Sequence, residues 1–241
     1  MRLWELEAAL GAVRPFPSPT IELEQYVTPA ALAARLIHTA STAFDDVAGR
    51  AVADFGAGTG VLGIAAALAG AASVVAVDVD ARALAVAAAN AAAAGVVLDC
   101  VVADILPRPA APPPPPPPPW TRPPRRWRAR GCPPPLGAPP PPVDTVVMNP
   151  PFGTRVAGAD VAFLLAAAHT ATRAVYSLHK TSTRAHVGAA AAASGAVPVV
   201  VARLRFPLPR AYAFHRRAVG EVAVDLWRLD TAAVGSGRRV V

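Results

Sequence analysis

The stretch Val52-Ala53-Asp54-Phe55-Gly56-Ala57-Gly58-Thr59-Gly60 limits the fold more than any other part of this chain. A short apolar run ends on an acid, passes through three glycines spaced by small residues, and opens a second apolar run, Val61 to Ala69, stopped by Gly70. The first run suits a buried strand (Arg50 to Phe55) and the second a helix. Glycine lets the backbone turn tightly and approach a ligand closely. The same alternation continues on both sides. Leu3 to Leu10 predicts a short amphipathic helix. Thr28-Pro29 predicts a helix start, with threonine as N-cap and proline at the first helical position, running to about Phe44. Strands are predicted at Ser73–Val79, Val96–Ala103, Val143–Met148, Arg173–Leu178, Val197–Phe206 and Val219–Leu229, and helices at Ala81–Ala94, Ala159–Thr170 and Thr183–Ala193. Strands alternating with helices imply an α/β fold: a doubly wound, Rossmann-like, mostly parallel seven-stranded sheet with helices on both faces. The 241 residues read as a single domain, with 1–45 an N-terminal helical part and 230–241 a flexible tail.

One segment breaks the pattern. Pro107 to Pro142 holds 19 of the 28 prolines, eight of them consecutive from Pro112. Such a tract cannot form helix or sheet and reads as a polyproline II or disordered surface insertion. The alternatives are an SH3-type ligand or an RNA-touching arm built on Arg125 to Arg130 with Trp120 and Trp127. The segment also dominates the charge. It contributes six arginines and no acid, so the rest of the chain carries only +1 of the net +7. Bulk basicity is therefore weak support for nucleic acid. Two cysteines, Cys100 and Cys132, make neither a disulfide framework nor a zinc site and point to a reducing compartment. Glu5 and Glu7 argue against a secretory or transit leader, and the longest apolar run is broken by glycines, so no membrane span is expected.

Two groups of residues carry chemistry. Asp54, Asp78 and Asp104 stand at three successive strand ends. Asp78 is placed to accept from ribose hydroxyls and Asp104 from an adenine amino group. This set after a GxGxG turn is the S-adenosylmethionine arrangement, and nothing suggests a pyrophosphate. Each acid has a bland reading as a helix N-cap, but Asp80 is the better cap for the following helix, which leaves Asp78 for a ligand. The second group is Asn149-Pro150-Pro151-Phe152, directly after a strand. An amine conjugated to a ring is a poor nucleophile. The Asn149 side-chain oxygen and the Pro150 carbonyl can accept its two N–H groups, aim its lone pair, and stabilise the positive charge that develops on nitrogen. The prolines fix the backbone, and Phe152 offers a face for the base. Adenine N6, cytosine N4 and glutamine side-chain nitrogen all fit this tetrad.

The chain resembles the eukaryotic methyltransferase-like family that makes N6-methyladenosine in small-subunit (18S) ribosomal RNA. Four stretches carry the resemblance: Leu23 to Thr28, Val52 to Leu62, Asp144 to Thr154, and Ala174 to Lys180 with Ser182 to Val187. It implies a class I methyltransferase fold and S-adenosylmethionine as cofactor, held by Gln25, Thr28, Gly56, Thr59, Val61, Asp78 and Asp104. It implies catalysis by Asn149, Pro150, Pro151 and Phe152. It also implies 18S rRNA as substrate and an obligate partner, a small zinc-binding activator subunit that pairs along a sheet edge. The implied residence is the nucleus or nucleolus and the cytoplasm. Val27 and Ala57 depart from the family's usual proline and cysteine, and the proline-rich insertion lies between Asp104 and the catalytic strand. Lys180 is the single lysine beside 22 arginines. Together with His179 and Arg184 it is placed after a strand end, with a contact to RNA phosphate expected. Arg205, Arg210, Tyr212, Phe214, His215, Arg216 and Arg217 form a basic, aromatic stretch suited to unstacked RNA, with Arg205 and Phe214 as the contact residues. The alternatives are a glutamine-N5 protein methyltransferase, a DNA adenine methyltransferase, and a non-catalytic RNA-binding scaffold.

Overall fold

The computed structural model describes residues 1–106, 143–153, 155–208 and 220–232. Helices α1 (Leu3–Leu10) and α2 (Ala30–Thr42) precede a regular alternation: β1 (Ala51–Phe55), α3 (Val61–Leu68), β2 (Ser73–Asp78), α4 (Ala81–Ala93), β3 (Asp99–Val102), β4 (Val143–Met148), α5 (Ala159–Thr170), β5 (Ala171–Lys180), α6 (Arg184–Ala193), β6 (Val197–Leu208) and β7 (Gly220–Asp230). The seven strands form one sheet in the order β3-β2-β1-β4-β5-β7-β6. The first five pair in parallel, and β7 runs antiparallel to both β5 and β6. The order reverses between β1 and β4, which opens a crevice at the carboxyl ends of these two strands. Asp54 and Asn149 belong to that crevice.

Alternating side chains send β5 residues to two cores. Tyr176 and Leu178 join Leu36, Ile37 and Ile64 beneath α1, α2 and α3. Val175 joins Leu164, Val187 and Trp227 beneath α5 and α6. Near the start of β5 a buried carboxylate organises three elements. Asp46, fully buried, accepts from Arg173, from Arg228 Nε at 2.9 Å and from the Tyr176 hydroxyl at 2.8 Å.

Three boundaries differ from the expected ones for identifiable reasons. Thr28 is not the N-cap of α2. Pro29 occupies that position with extended ψ and no side-chain bond, and Thr28 reaches a different partner. The strand expected from Val96 starts at Asp99, because the Val96 N–H turns back to the Ala91 carbonyl and closes the end of α4. The strand expected to end at Leu178 runs to Lys180, since β7 pairs with it that far. Pro107 to Pro142, the stretch from Arg210 to Arg217 and the tail after residue 232 lie outside the described residues, as do the readings made of them.

Candidate active site

The glycine turn makes the cofactor end of the site. Gly56, Gly58 and Gly60 all hold positive φ, at 68°, 53° and 84°. At Gly60 the restriction is also spatial: a Cβ would lie 2.9 Å from the Ala87 Cβ. Asp54, next to last in β1, lies beneath this turn, and its Oδ2 accepts the Gly63 N–H at 2.8 Å. Burial pushes the Asp54 carboxyl up to about 7; the Gly63 bond opposes this and the charge of Asp78 adds to it. Asp78 accepts the Gly58 N–H at 2.8 Å and the Asp80 N–H at 2.9 Å, so it supports the turn as well as facing the cavity. Its carboxyl is also raised, again chiefly by burial. Asp80 caps α4 as expected, accepting from the Arg82 N–H at 2.9 Å. Bonds from the Gln25 amide and from Arg82 hold Asp80 low, at about 2.

Asp54, Asp78 and Asp104 line one cavity of about 360 Å³, together with Thr28, Thr59, Val61 and Asn149. That size suits a small-molecule ligand. Glu22 and Glu24 join these three acids on the wall, against Arg155 as the one cation among the described lining residues; such an excess of acids disfavours a pyrophosphate and suits a ligand of net positive charge. A sulfonium with an ammonium group is such a ligand, so the donor set fits S-adenosylmethionine.

The catalytic loop leaves β4 at Met148, and β4 is clamped between β1 and β5. Asn149 Nδ2 donates to Thr28 Oγ1 at 3.0 Å. Its Oδ1 is buried and has no hydrogen-bond partner among the described residues. A buried acceptor left open costs free energy and is rare, unless a ligand completes it. Thr28 therefore fixes the amide so that its oxygen is left for a substrate N–H. Pro150 is buried and, unlike the expectation, does not line the cavity; its carbonyl accepts from the Tyr26 hydroxyl at 3.5 Å, which leaves one lone pair.

Two segments far apart in sequence meet here. Residues 20–28 cross from the cofactor side to the catalytic loop. On the first side Gln25 Oε1 accepts the Thr20 N–H at 2.7 Å, and Gln25 Nε2 donates to Asp80 at 3.0 Å. On the second side Glu24 accepts the N–H groups of Phe152 and Arg155, both at 2.9 Å. Upstream, Asn90 exchanges bonds with both backbone groups of Arg14 and donates to the Thr59 carbonyl, all at 3.0 Å. Phe16 then lies against Gly58.

The structure thus gathers Gln25, Thr28, Gly56, Thr59, Val61, Asp78, Asp104, Asn149 and Pro151 on one cavity. Gln25 takes part through its position, since both ends of its amide are already bonded. Phe152 is placed differently from the expectation. It is 8% exposed and does not line the cavity. Its ring packs with Tyr26 at 5.3 Å and Phe206 at 5.7 Å, and Lys180 Nζ stands 5.6 Å from its centroid. His179 and Lys180 lie within β5 and not beyond it. His179 is fully buried, 2.8 Å from Ser177 Oγ and 3.5 Å from Asp160, so it cannot reach RNA phosphate. Arg184 makes two 2.7 Å bonds to the buried Asp225. Arg205 is exposed on β6 and pairs with Glu221 at 2.9 Å. Phe214 lies outside the described residues.

Local sequence pattern marks no site role for Glu24, Tyr26, Phe16, Phe206 or Asn90. Asn90 carried a usable signal: it is the single amide in an otherwise alanine-rich helix, ARALAVAAANAAA. Glu24 carried none, because its partners are 128 and 131 residues away.

Comparison with known proteins follows the same lines. A family model described as ribosomal protein L11 methyltransferase (PrmA) matches residues 38–109, the segment that holds the glycine turn and the three acids. The Drosophila melanogaster rRNA N(6)-adenosine-methyltransferase Mettl5 is 37% identical over 95% of this chain and 97% of its own. The Danio rerio rRNA N(6)-adenosine-methyltransferase METTL5 is 36% identical over 95% and 98%. Among solved structures, a Pyrococcus horikoshii protein described as a candidate RNA methyltransferase superposes with a TM-score of 0.72 at 31% identity, over 95% of this chain and 98% of that one. The sheet order, the acids at the strand ends and these likenesses make the chain a Rossmann-like, S-adenosylmethionine-dependent methyltransferase, and by identity along nearly its whole length it belongs to the METTL5 family of rRNA N6-adenosine methyltransferases.

Proposed function

We propose that this protein methylates N6 of an unpaired or flipped adenosine in small-subunit (18S) ribosomal RNA. The observation that carries the reading is Asn149 Oδ1, a buried acceptor on the wall of the cofactor cavity with no partner among the described residues. S-adenosylmethionine, when bound, supplies the methyl group from its sulfonium. Asn149 Oδ1 accepts one amine N–H, and the Pro150 carbonyl accepts the other. Neither Pro150 nor Pro151 has an N–H to compete for these oxygens. The two bonds direct the nitrogen lone pair and disperse the charge that grows on it during transfer. No base is required before attack, since the proton leaves afterwards. A duplex adenine cannot present its amine this way and must leave the stack. The family model of the L11 protein methyltransferase ends at residue 109, before the catalytic loop, and does not bear on the acceptor.

Lys180 beside Phe152 is the proposed phosphate contact, with Arg184, Arg205 and Phe214 further along the RNA path. Arg184 offers RNA only the part of its guanidinium that Asp225 leaves free; its side chain is 46% exposed. The activator subunit is proposed to add to the free edge of β3. All four residues of that strand are exposed, and Val97, Val101 and Val102 present apolar surface there. The other edge, β6, carries Pro198 and Pro207, which discourage strand addition. Residence in the nucleus or nucleolus and the cytoplasm goes with this substrate.

The deciding experiment uses the full chain co-expressed with the activator subunit. The complex is incubated with unmodified 18S rRNA and labelled S-adenosylmethionine, and nucleosides are identified by mass spectrometry. Labelled N6-methyladenosine from wild type, and none from Asn149→Ala that still binds S-adenosylhomocysteine, is the expected result. Label in protein glutamine or in DNA, with none in RNA, would overturn the reading.

A further inference from the structure

We infer that Glu24 is a positioning residue for methyl transfer: its carboxylate ties the cofactor-side arm to the catalytic loop and sets the aim of Asn149 and Pro150. Three observations converge on it. Glu24 Oε2 accepts the Phe152 N–H and Oε1 accepts the Arg155 N–H, both at 2.9 Å. Glu24 holds φ at 49°, in the left-handed region that side chains other than asparagine and aspartate seldom occupy. Such backbone conformations persist where the surrounding structure enforces them, and they gather at functional sites. The next residue, Gln25, is bonded to Asp80 on the cofactor side.

The chemistry explains why a carboxylate stands there. Pro150 and Pro151 carry no N–H, so the Phe152 amide is the first backbone donor after Asn149. The Pro-Pro unit is stiff. Fixing the amide that follows it therefore fixes the Pro150 carbonyl that precedes it. An ionised carboxylate has two acceptor oxygens and no donor, and it can take both N–H groups at once. Glutamine keeps one acceptor and turns a donor towards the second N–H. Alanine and glycine keep none. Around Glu24 the arm alternates its attachments: Gln25 faces the cofactor side, while Glu24, Tyr26 and Thr28 all reach the catalytic loop. The left-handed kink at Glu24 is what allows neighbouring residues to serve both sides.

This inference rests on reading Asn149 and Pro150 as the acceptor pair, and the experiment separates the two claims. Wild type and the variants Glu24→Ala, Glu24→Gln, Glu24→Gly and Asn149→Ala are compared as complexes with the activator subunit. S-adenosylhomocysteine affinity is measured by calorimetry, kcat and KM with 18S rRNA, and the exchange of the Phe152 and Arg155 amides by hydrogen–deuterium exchange. Glu24→Ala is expected to lower kcat by about 30- to 300-fold, with cofactor affinity within about 3-fold of wild type and faster exchange at both amides. Glu24→Gln should fall between Ala and wild type. Glu24→Gly should behave like Ala although it relieves the backbone. The inference is overturned if Glu24→Ala keeps wild-type kcat, if its loss is matched by an equal loss of cofactor affinity, or if Glu24→Gly restores activity. An active Asn149→Ala would overturn the acceptor pair itself. An inactive Asn149→Ala beside a fully active Glu24→Ala would remove only the role of Glu24.

Discussion

Asp54→Asn is expected to stabilise the protein above neutral pH while leaving it unchanged in acid. Asp54 is 1% exposed, and its Oδ2 accepts the Gly63 N–H. Burial raises its carboxyl from 3.8 to about 7 in the folded chain. Below pH 4 both states hold the proton and the group contributes nothing. Between about pH 4 and 7 the unfolded chain has released its proton and the folded one has not, so stability falls as pH rises; above 7 the full cost remains. A gap of about 3 in pKa corresponds to roughly 4 kcal/mol, at about 1.4 kcal/mol for each. Local rearrangement reduces this, and a difference of about 2 to 4 kcal/mol is expected at pH 8. Asparagine keeps an oxygen for Gly63 and does not titrate, so its variant lacks this slope. Urea unfolding of both proteins at intervals from pH 4.5 to 8.5 measures the difference, in which groups common to both cancel. Curves that stay parallel across that range would refute the argument, because they would show Asp54 titrating alike in both states.

Gly60→Ala is expected to destabilise by about 2 kcal/mol or more and to abolish cofactor binding, since its Cβ would meet Ala87 and the glycine has φ of 84°. Gly58→Ala should cost less, because its Cβ meets only the Phe16 ring, the movable end of a side chain; thermal melts and calorimetry rank the two. Asp46→Ala leaves Arg228 and the Tyr176 hydroxyl without their buried acceptor, and a loss of about 3 to 5 kcal/mol is expected in denaturant unfolding. Replacing residues 109–140 with a flexible linker of about twelve residues is expected to leave S-adenosylhomocysteine affinity within about 3-fold of the parent, as calorimetry would show.

Most of the sheet was legible because the apolar runs are short, bounded by glycine or proline, and alternate with alanine-rich helices. The strand ends were less so. β5 extends to Lys180 only because β7 pairs with it, a tertiary fact invisible in the run Arg173 to Leu178. The site divided in the same way. Residues that act near their own motif, such as Asp78 and Asn149, could be picked out from local pattern. Thr28 fits a helix cap as well as a ligand contact, since a threonine before proline suits that role and nothing nearby reveals Asn149. Adjacency in sequence groups His179 with Lys180, yet neighbouring strand residues face opposite sides of the sheet, and His179 is buried against Ser177. Glu24 could not be assigned, as its hydrogen bonds define it and they span more than half the chain.

The placement of Asn149 shows how such a chain tolerates its proline-rich insertion. The insertion separates β3 from β4 in sequence, but β3 does not set the position of β4. Val52 pairs with Thr145 and Phe55 with Met148 on one side, while Thr145 pairs with Ala174 and Met148 with Ser177 on the other. The register of the catalytic strand is therefore fixed by β1, which also carries Asp54, and by β5, which ends in Lys180. A one-residue slip would turn every side chain of β4 to the wrong face, and two neighbouring strands oppose it. Past the end of the strand, Thr28 and Glu24 hold the loop from the opposite direction. Cofactor turn, acceptor oxygen and nearby cation are thus placed by segments that bracket the insertion and make no use of its length. The entropy of closing a longer loop grows only slowly with its size. The sheet can carry the insertion without moving the atoms that do the chemistry.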